Sequence, residues 1–386
     1  MVLIIGSGLA GSLLAIRLNQ LGIACKLFDR VEFGAEIPRD GRTIAVTYGS
    51  KQFLETCGLW QQLALSAQPI NQIRVLEYGS AWTVDYDAKE LGSNPMGYII
   101  EFDQLRKSMI DALKKAESIQ IFSPITINKI IQNNSYVSIN TVEHGEMKGN
   151  LLVGADGKNS WVRSQVNIKS QTKEYGHKAL VAHFTHEKSH HDTAWEVFHA
   201  KGPFAMLPML NTECGQYQSG IVWCRPKNTA WENFSDEDLQ NNLEEIFPYY
   251  GKVKINSKLW VFPITGMSVD RVFDNRVVLV GDSAHSLHPI AGQGINLGWR
   301  DVSILANLLS EAVSLGQDYG CQTFLQNFSR KRKFDHKSLF LFTHLVTKLF
   351  EIDNSLVSMV RQTGFALVNR IGPLKRYFMK RAISGM

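Results

Sequence analysis

Three glycine-bearing segments, far apart in a chain of 386 residues, hold the residue types most suited to binding and chemistry. The first, Gly6-Ser7-Gly8-Leu9-Ala10-Gly11, follows the short apolar run Val2 to Ile5 and opens a helix-spaced apolar series at Ala10, Leu13, Leu14, Leu18 and Leu21. In that setting Gly6 permits a tight turn, Gly8 lets the backbone approach a pyrophosphate, and Gly11 lets the helix pack on the strand. The free amides at Leu9 and Ala10 would face the anion. Asp29, with Arg30 beside it, ends the next apolar run, where a carboxylate accepts hydrogen bonds from the ribose of a dinucleotide.

The second segment, Gly154-Ala155-Asp156-Gly157, follows Leu151-Leu152-Val153 and precedes Ser160 and Arg163. The third, Gly281-Asp282-Ser283-Ala284-His285, follows residues 277–280 and leads to Pro289, Gly292, Gln293, Gly294, Ile295 and Asn296 ahead of another helix. Together these narrow the dinucleotide to a flavin. Asp282 is placed to accept from ribityl hydroxyls, and free amides at Gly292 to Asn296 can meet the pyrimidine edge. A positive helix end there would stabilise the negative charge that a reduced flavin carries. Arg42, between Gly41 and Thr43, is a candidate partner for the pyrophosphate, donating paired hydrogen bonds.

Elements that could position these residues are legible around them. A strand, a helix stopped at Gly22 and a second strand over 24–28 form a βαβ start. Alternating, strand-like stretches over about 73–98 and 176–265 suggest an antiparallel sheet, interrupted by one helix that Ser235 caps and on which Leu239, Leu243 and Ile246 share a face. Helix is expected over 297–309 and again from Phe324 to the end. The expected fold class is α/β: a Rossmann-like FAD-binding domain (1–72, 99–175 and 266–340) interleaved with an antiparallel-sheet substrate domain (73–98 and 176–265), followed by a C-terminal helical region (341–386).

Bulk properties bound the function classes. Apolar content is 44%, ordinary for a soluble enzyme, and the five cysteines form no CxxC pair, so a reducing compartment fits best. The apolar start lacks a preceding basic segment and reads as a buried strand, not a signal peptide. No apolar run reaches the ~18 to 20 residues that cross a bilayer. The net charge of +5 is uneven: from Arg330 onward there are twelve Lys or Arg and three acids. No nucleic-acid partner is expected from so local a basic character. His183, His186, His190, His191 and His199 match no helical metal-ligand spacing, so no metal site is expected and a solvated edge is the reading there.

The three segments in this order resemble the flavoprotein aromatic hydroxylases related to para-hydroxybenzoate hydroxylase. Residues 91–101, 175–179, 194–198 and 202–208 resemble the ubiquinone-biosynthesis branch, and 288–298 through Arg300-Asp301-Val302 is the closest match. The likeness covers nearly the whole chain. It implies Gly6, Gly8, Gly11, Asp29, Arg42, Asp156, Asp282, Pro289, Gly292, Gly294 and Asn296 as flavin-site positions, and a monooxygenase that passes oxygen from a flavin C4a-hydroperoxide to a phenolic ring. Two departures stand out: Asp29 replaces a more usual Glu, and Phe102 replaces a polar residue.

Further expectations follow from that resemblance. FAD is the cofactor, and NAD(P)H or a partner reductase is the electron source, since there is one dinucleotide fingerprint. O2 and a phenolic, prenylated substrate are the reactants. A quinone-biosynthesis complex is a candidate partner, and the location is cytoplasmic with peripheral contact on the inner face of the membrane through a final helix that starts at Pro373 and carries Leu374, Tyr377 and Phe378 on one face beside Lys375, Arg376, Lys380 and Arg381. No catalytic base is assigned. The alternatives are another flavin chemistry on the same scaffold, or a catalytically silent FAD-binding subunit of such a complex.

Overall fold

The computed structural model describes residues 1–36, 38–80, 83–92, 94–199, 202–231, 234–351, 361 and 369–384. Its first sheet has six strands in the order Phe273–Asp274, Val277–Leu279, Leu151–Gly154, Val2–Ile5, Cys25–Phe28 and Gln120–Phe122. All neighbours run parallel except the short edge strand Phe273–Asp274. Val2–Ile5, Leu151–Gly154 and Val277–Leu279 are apolar and buried throughout, as strands covered on both faces must be. Because these three lie side by side, the three glycine segments leave from one edge of the sheet.

Helix Leu9–Gln20 follows the first strand and packs against helix Gly294–Ser314, which follows the third glycine segment. The first helix ends at Gln20 and Gly22 takes a positive φ just beyond it, as the sequence indicates.

The large second sheet is mostly antiparallel. Its main path runs His285–Ser286, Trp260–Val269, Ser170–His186, Tyr217–Pro226, Phe204–Met209, Thr193–Phe198, Gln72–Glu77 and Thr83–Asp87, with Val253–Ile255 also pairing with Ser170–His186. One parallel pair interrupts it, Thr193–Phe198 with Gln72–Glu77. The boundaries expected at 175 and 265 fall inside Ser170–His186 and Trp260–Val269, so the chain passes between the sheets within continuous strands.

One face of this sheet carries Leu180, Phe184, Trp195, Val197, Phe204 and Trp223, which form a separate core with Leu239 and Leu243 of helix Asp236–Ile246. Ser235 caps that helix in a full capping box with Asp238. The other face turns toward a three-stranded sheet of Thr43–Thr47, Gly97–Glu101 and Gln68–Ile70.

The histidine reading needs correction. His183, His186 and His190 are buried rather than solvated. His183 Nε2 pairs with Gly41 O, His186 with Lys188 O and Ser219 Oγ, and His190 Nε2 with Met209 O. Burial pushes the His186 pKa down to about 4, and its ring stacks on Tyr250. They are packing groups whose polarity is met by backbone and hydroxyl partners.

Helix Gln322–Glu351 and helix Gly372–Ser384 complete the described fold. Residues 352–360, 362–368 and 385–386 of the expected helical tail lie outside the described residues, as do the side chains of Leu374 and Phe378. Lys375 Nζ bonds Glu90 at 2.5 Å, and Met379 is buried with Ala88 and Met96, so the last helix is pinned to the protein on part of its surface.

The second core should be separable from the first. Leu243→Ala, at a fully buried position, is expected to cost about 2 to 5 kcal/mol, read as a lower urea midpoint.

Candidate active site

At the first glycine segment, packing and openness alternate. A Cβ on Gly11 would lie 1.9 Å from Gly6 O, which no side chain can satisfy, so helix and turn touch there. At Gly8 a Cβ would meet no protein atom within 4 Å. The helix that begins at Leu9 has no acid in its first turn, and no side chain caps Gly8. Its positive end is therefore left for an anion from outside the chain.

Asp29 takes part in building this turn. Its carboxylate accepts from Ser7 N at 2.6 Å, Ser7 Oγ at 2.7 Å and Val31 N at 2.9 Å, while Gly6 N donates to Phe28 O. The acid ties the end of the second strand to the turn, and Arg30 stands exposed beside it.

Arg42 is held by Asp40, 2.6 Å from its guanidinium, and lies over the Phe102 ring with 4.4 Å to the centroid. This accounts for the unusual Phe102: it opens helix Phe102–Lys115 and supplies a flat support for the cation. Asp156 accepts from Ser160 Oγ at 2.5 Å and Val162 N at 3.0 Å, so it organises the start of helix Trp161–Gln165. Arg163 then joins the second and third segments by donating to Ser283 O and Lys158 O.

Asp282 is reachable by solvent, yet protein surrounds it closely enough that burial raises its pKa against the pull of His285, Arg42 and Lys158. A carboxylate both accessible and enclosed lies on the floor of a cleft. His285 of the third segment, Lys158 just after the second, and Arg42 thus stand around that floor.

Gly281 takes φ +61° where helix Leu9–Gln20 and helix Gly294–Ser314 meet: a Cβ there would lie 3.2 Å from Ala10 Cβ and 3.9 Å from Gly298 Cα. Pro289 and Gly292 are exposed, and Gln293, Gly294 and Ile295 are partly so. Helix Gly294–Ser314 has no acid in its first turn and no side-chain cap, which leaves the terminus open, like that at Leu9. Asn296 is different. It is fully buried, accepting from Thr47 N and donating to Ala45 O and Gly292 O, so its side chain fastens the loop to strand Thr43–Thr47.

The sequence reading missed the group beneath this loop. Asp301 is fully buried and accepts from Gly281 N at 3.0 Å and from His285 Nε2, Arg332 Nε and His336 Nε2, each at 2.7 Å. Burial by itself would raise its pKa, but His336, His285 and Arg332 hold it well below the usual carboxylate range. His285, Asp301 and His336 are also the three-ligand group whose atoms could reach one cation among the described residues. Arg332 donates to the same carboxylate and fills the role a cation would have. No sequence spacing announces this cluster, since its members come from three separate elements.

Across from the loop, the second sheet presents Ala194, Phe198, Leu207 and Val222. Ala194 and Leu207 cluster with Ala45 and Ile99, and Phe198 clusters with Ile290. A concavity lined by His177, Phe198, Gly202, His288 and Ile290 lies at one end of this face. His288 there is buried, and its pKa is pushed down to about 3.

A cleft with two helix N-termini that no side chain caps, a supported arginine and an accessible aspartate fits a dinucleotide with a charged pyrophosphate and a polyol. The FAD binding domain family model matches residues 1–333. In fold, the p-nitrophenol 4-monooxygenase PnpA from Pseudomonas putida DLL-E4 superimposes with TM-score 0.81 at 16% identity, over 100% of this chain and 97% of that one. The chain is thus an FAD-dependent aromatic monooxygenase of the para-hydroxybenzoate hydroxylase fold.

Relatives narrow the class further. The ubiquinone hydroxylase UbiL of Rhodospirillum rubrum is 34% identical, covering 99% of this chain and 89% of its own. The 3-demethoxyubiquinol 3-hydroxylase of Escherichia coli strain K12 is 26% identical over 99% and 98%. The chain belongs to the ubiquinone-biosynthesis hydroxylase family.

Two measurements probe this geometry. Gly8→Ala should leave urea stability within about 1 kcal/mol of the parent, because its Cβ meets no protein atom, while FAD affinity falls roughly tenfold or more by fluorescence titration of apoprotein. Asp301→Asn should cost about 3 to 5 kcal/mol, since it removes the buried charge that Arg332, His285 and His336 share and leaves Arg332 with Asp335 alone. The sign with pH follows from the lowered native pKa: the Asp301 contribution is fully present above the unfolded value near 3.9 and is lost as pH falls toward the native one. The Asn variant should therefore show a shallower acid limb in urea stability measured below about pH 5.

Proposed function

We propose that the chain hydroxylates the aromatic ring of a polyprenylated phenol on the route to ubiquinone, using FAD. The observation that carries this reading is the apolar sheet face set against loop 289–296, in a chain whose relatives named as ubiquinone hydroxylases align along almost its entire length. Bound FAD supplies the redox chemistry, activating O2 and delivering one of its oxygen atoms to the ring.

The protein's share is binding, orientation and exclusion of water. Amides of Gly8, Leu9, Ala10 and Gly11 would meet the pyrophosphate with Arg42, and Asp29, steadied by Ser7, would meet the adenosine ribose. Asp282 would accept from the ribityl chain. Gly281 lets the two helices close around it, and Asp156 keeps the second segment in shape. The amides at Gln293, Gly294 and Ile295 would meet the pyrimidine edge, with Pro289 beside the ring; against the expectation, the Gly292 amide donates to Pro289 O, and Asn296 is fully buried and fastens the loop. The apolar face excludes water from the reacting atoms.

Electrons come from NAD(P)H or from a partner reductase. Anaerobic mixing of the holoprotein with NADPH, with and without a prenylphenol, separates the two: flavin bleaching supports direct reduction, and its absence supports a partner. Cells lacking the protein should accumulate a quinone precursor short of one hydroxyl, read by mass spectrometry of lipid extracts. Unchanged quinone and precursor pools would remove the assignment.

A peripheral membrane contact has its own support. On helix Gln322–Glu351, Phe334, Leu341, Phe342, Leu345 and Leu349 are exposed. At 100° per residue they fall in one stripe about 100° wide, which Lys348 borders and Lys331 extends at its N-terminal end. No helix among the described residues is long and apolar enough to cross a membrane. Leu341→Glu with Leu345→Glu should reduce flotation with anionic liposomes while leaving FAD content intact; equal flotation would dismiss this surface.

A further inference from the structure

The sheet face opposite loop 289–296 has one carboxyl among its central residues. Strand registers set Ala205 opposite Glu196, Val222 opposite Ala205 and Val181 opposite Val222, with Val75 on the other side of Glu196. Glu196 is thus flanked across the strands by apolar residues. Its direction follows from the period of two along a strand. Trp195 and Val197 are buried in the core with helix Asp236–Ile246, so Glu196 belongs to the opposite face with Ala194 and Phe198.

These two neighbours mark where that face meets the cofactor loop. Ala194 clusters with Ala45, which lies 3.1 Å from the position of a Cβ on Gly292. Phe198 clusters with Ile290. Glu196 therefore occupies the strand position between two contacts to residues 290–292. It is partly exposed, and among the described residues no hydrogen bond or ion pair engages its carboxyl. An accessible yet enclosed carboxyl with no partner is suited to a ligand that brings one.

We propose that Glu196 is the pocket group that accepts the hydrogen bond of the substrate's phenolic hydroxyl and takes its proton as the ring is oxygenated. This rests on the phenol reading given above. The O–H bond of the phenol breaks and a bond from that proton to Glu196 Oε forms. The electron pair stays on the phenolate oxygen and enriches the ring carbons ortho and para to it, where oxygen is added. No electron leaves or enters the protein in this step. The anchored hydroxyl also sets which ring carbon faces loop 289–296.

The acidity suits the task. Burial pushes the Glu196 pKa up to about 8, and no neighbouring charge contributes to the shift. A base with that value lies closer to a phenol, about 10 for tyrosine, than an ordinary glutamate at about 4.3. The titratable groups on surrounding elements are Cys224, Glu77 paired with Arg361, Tyr86, Tyr175, His177 and His288. Cys224 is raised by burial first and then by Glu196 itself, and Tyr86 is raised by burial, so neither ionises near pH 8. His288, at about 3, stays neutral there.

The test uses FAD-loaded full-length protein, Glu196→Gln and Glu196→Asp, and a phenol bearing one five-carbon prenyl chain ortho to its hydroxyl. In the parent, kcat/KM should rise with pH through about 8 as the carboxylate forms. Glu196→Gln should lose that rise and fall roughly 100-fold at pH 9, while Glu196→Asp recovers part of the rate and keeps a pH-dependent limb. FAD content and urea midpoint of the Gln variant serve as the folding control, and probe affinity by protein fluorescence is the readout independent of turnover. A Gln variant with the parent's pH profile and probe affinity overturns the assignment of Glu196 alone, because the parent still turns the phenol over. If the parent neither binds nor oxygenates the probe at any pH, the phenol reading and this assignment both fall.

Discussion

The constraint on which the rest depends is the parallel pairing of Val2–Ile5 between Leu151–Gly154 and Cys25–Phe28, with Val277–Leu279 one strand further out. Parallel strands all end at the same edge, so the loops that follow them open together there. Segments separated by more than a hundred residues are thereby delivered to one cleft. Each glycine segment contributes little alone; their adjacency follows from strand order.

Asp301 secures the outermost of these segments. One buried carboxylate holds the amide of Gly281, the ring of His285 and the guanidinium of Arg332, so the turn that presents Asp282 is coupled to helix Gln322–Glu351. A buried charge of this kind is tolerated because its partners saturate it, and removing one of them leaves the others exposed to a low-dielectric interior. Asp29 and Asn296 also serve as hydrogen-bonded fasteners, tying the first turn to its strand and the loop at 289–296 to Thr43–Thr47. Several residues expected from the sequence as cofactor contacts are thus fittings that hold the cleft's loops in shape. For Asn296 the side chain is wholly committed to that task.

Two sheets divide the labour. The parallel one brings the three glycine segments to one edge, and the large antiparallel one turns one face inward to its own core and the other toward the loop at 289–296. Strand Ser170–His186 and strand Trp260–Val269 belong to the second sheet yet begin or end beside the first, so the two cannot move far apart without bending continuous backbone. This couples the place where substrate would lie to the place where flavin would lie.

Local signals in the chain were enough for the glycine turns, the βαβ start, the capped helix at Asp236–Ile246 and the flavin class, because each depends on residues within a few positions of one another. The tertiary structure alone decided what depends on distant neighbours. It buried His183, His186 and His190, put Phe102 beneath Arg42, and gathered His285, Arg332 and His336 on Asp301. It also set Glu196 on the sheet face whose Ala194 and Phe198 pack toward the loop at 289–296. Spacing along a chain specifies backbone conformation, whereas burial, pairing and acidity are set by what the fold brings alongside, and no single segment contains that information.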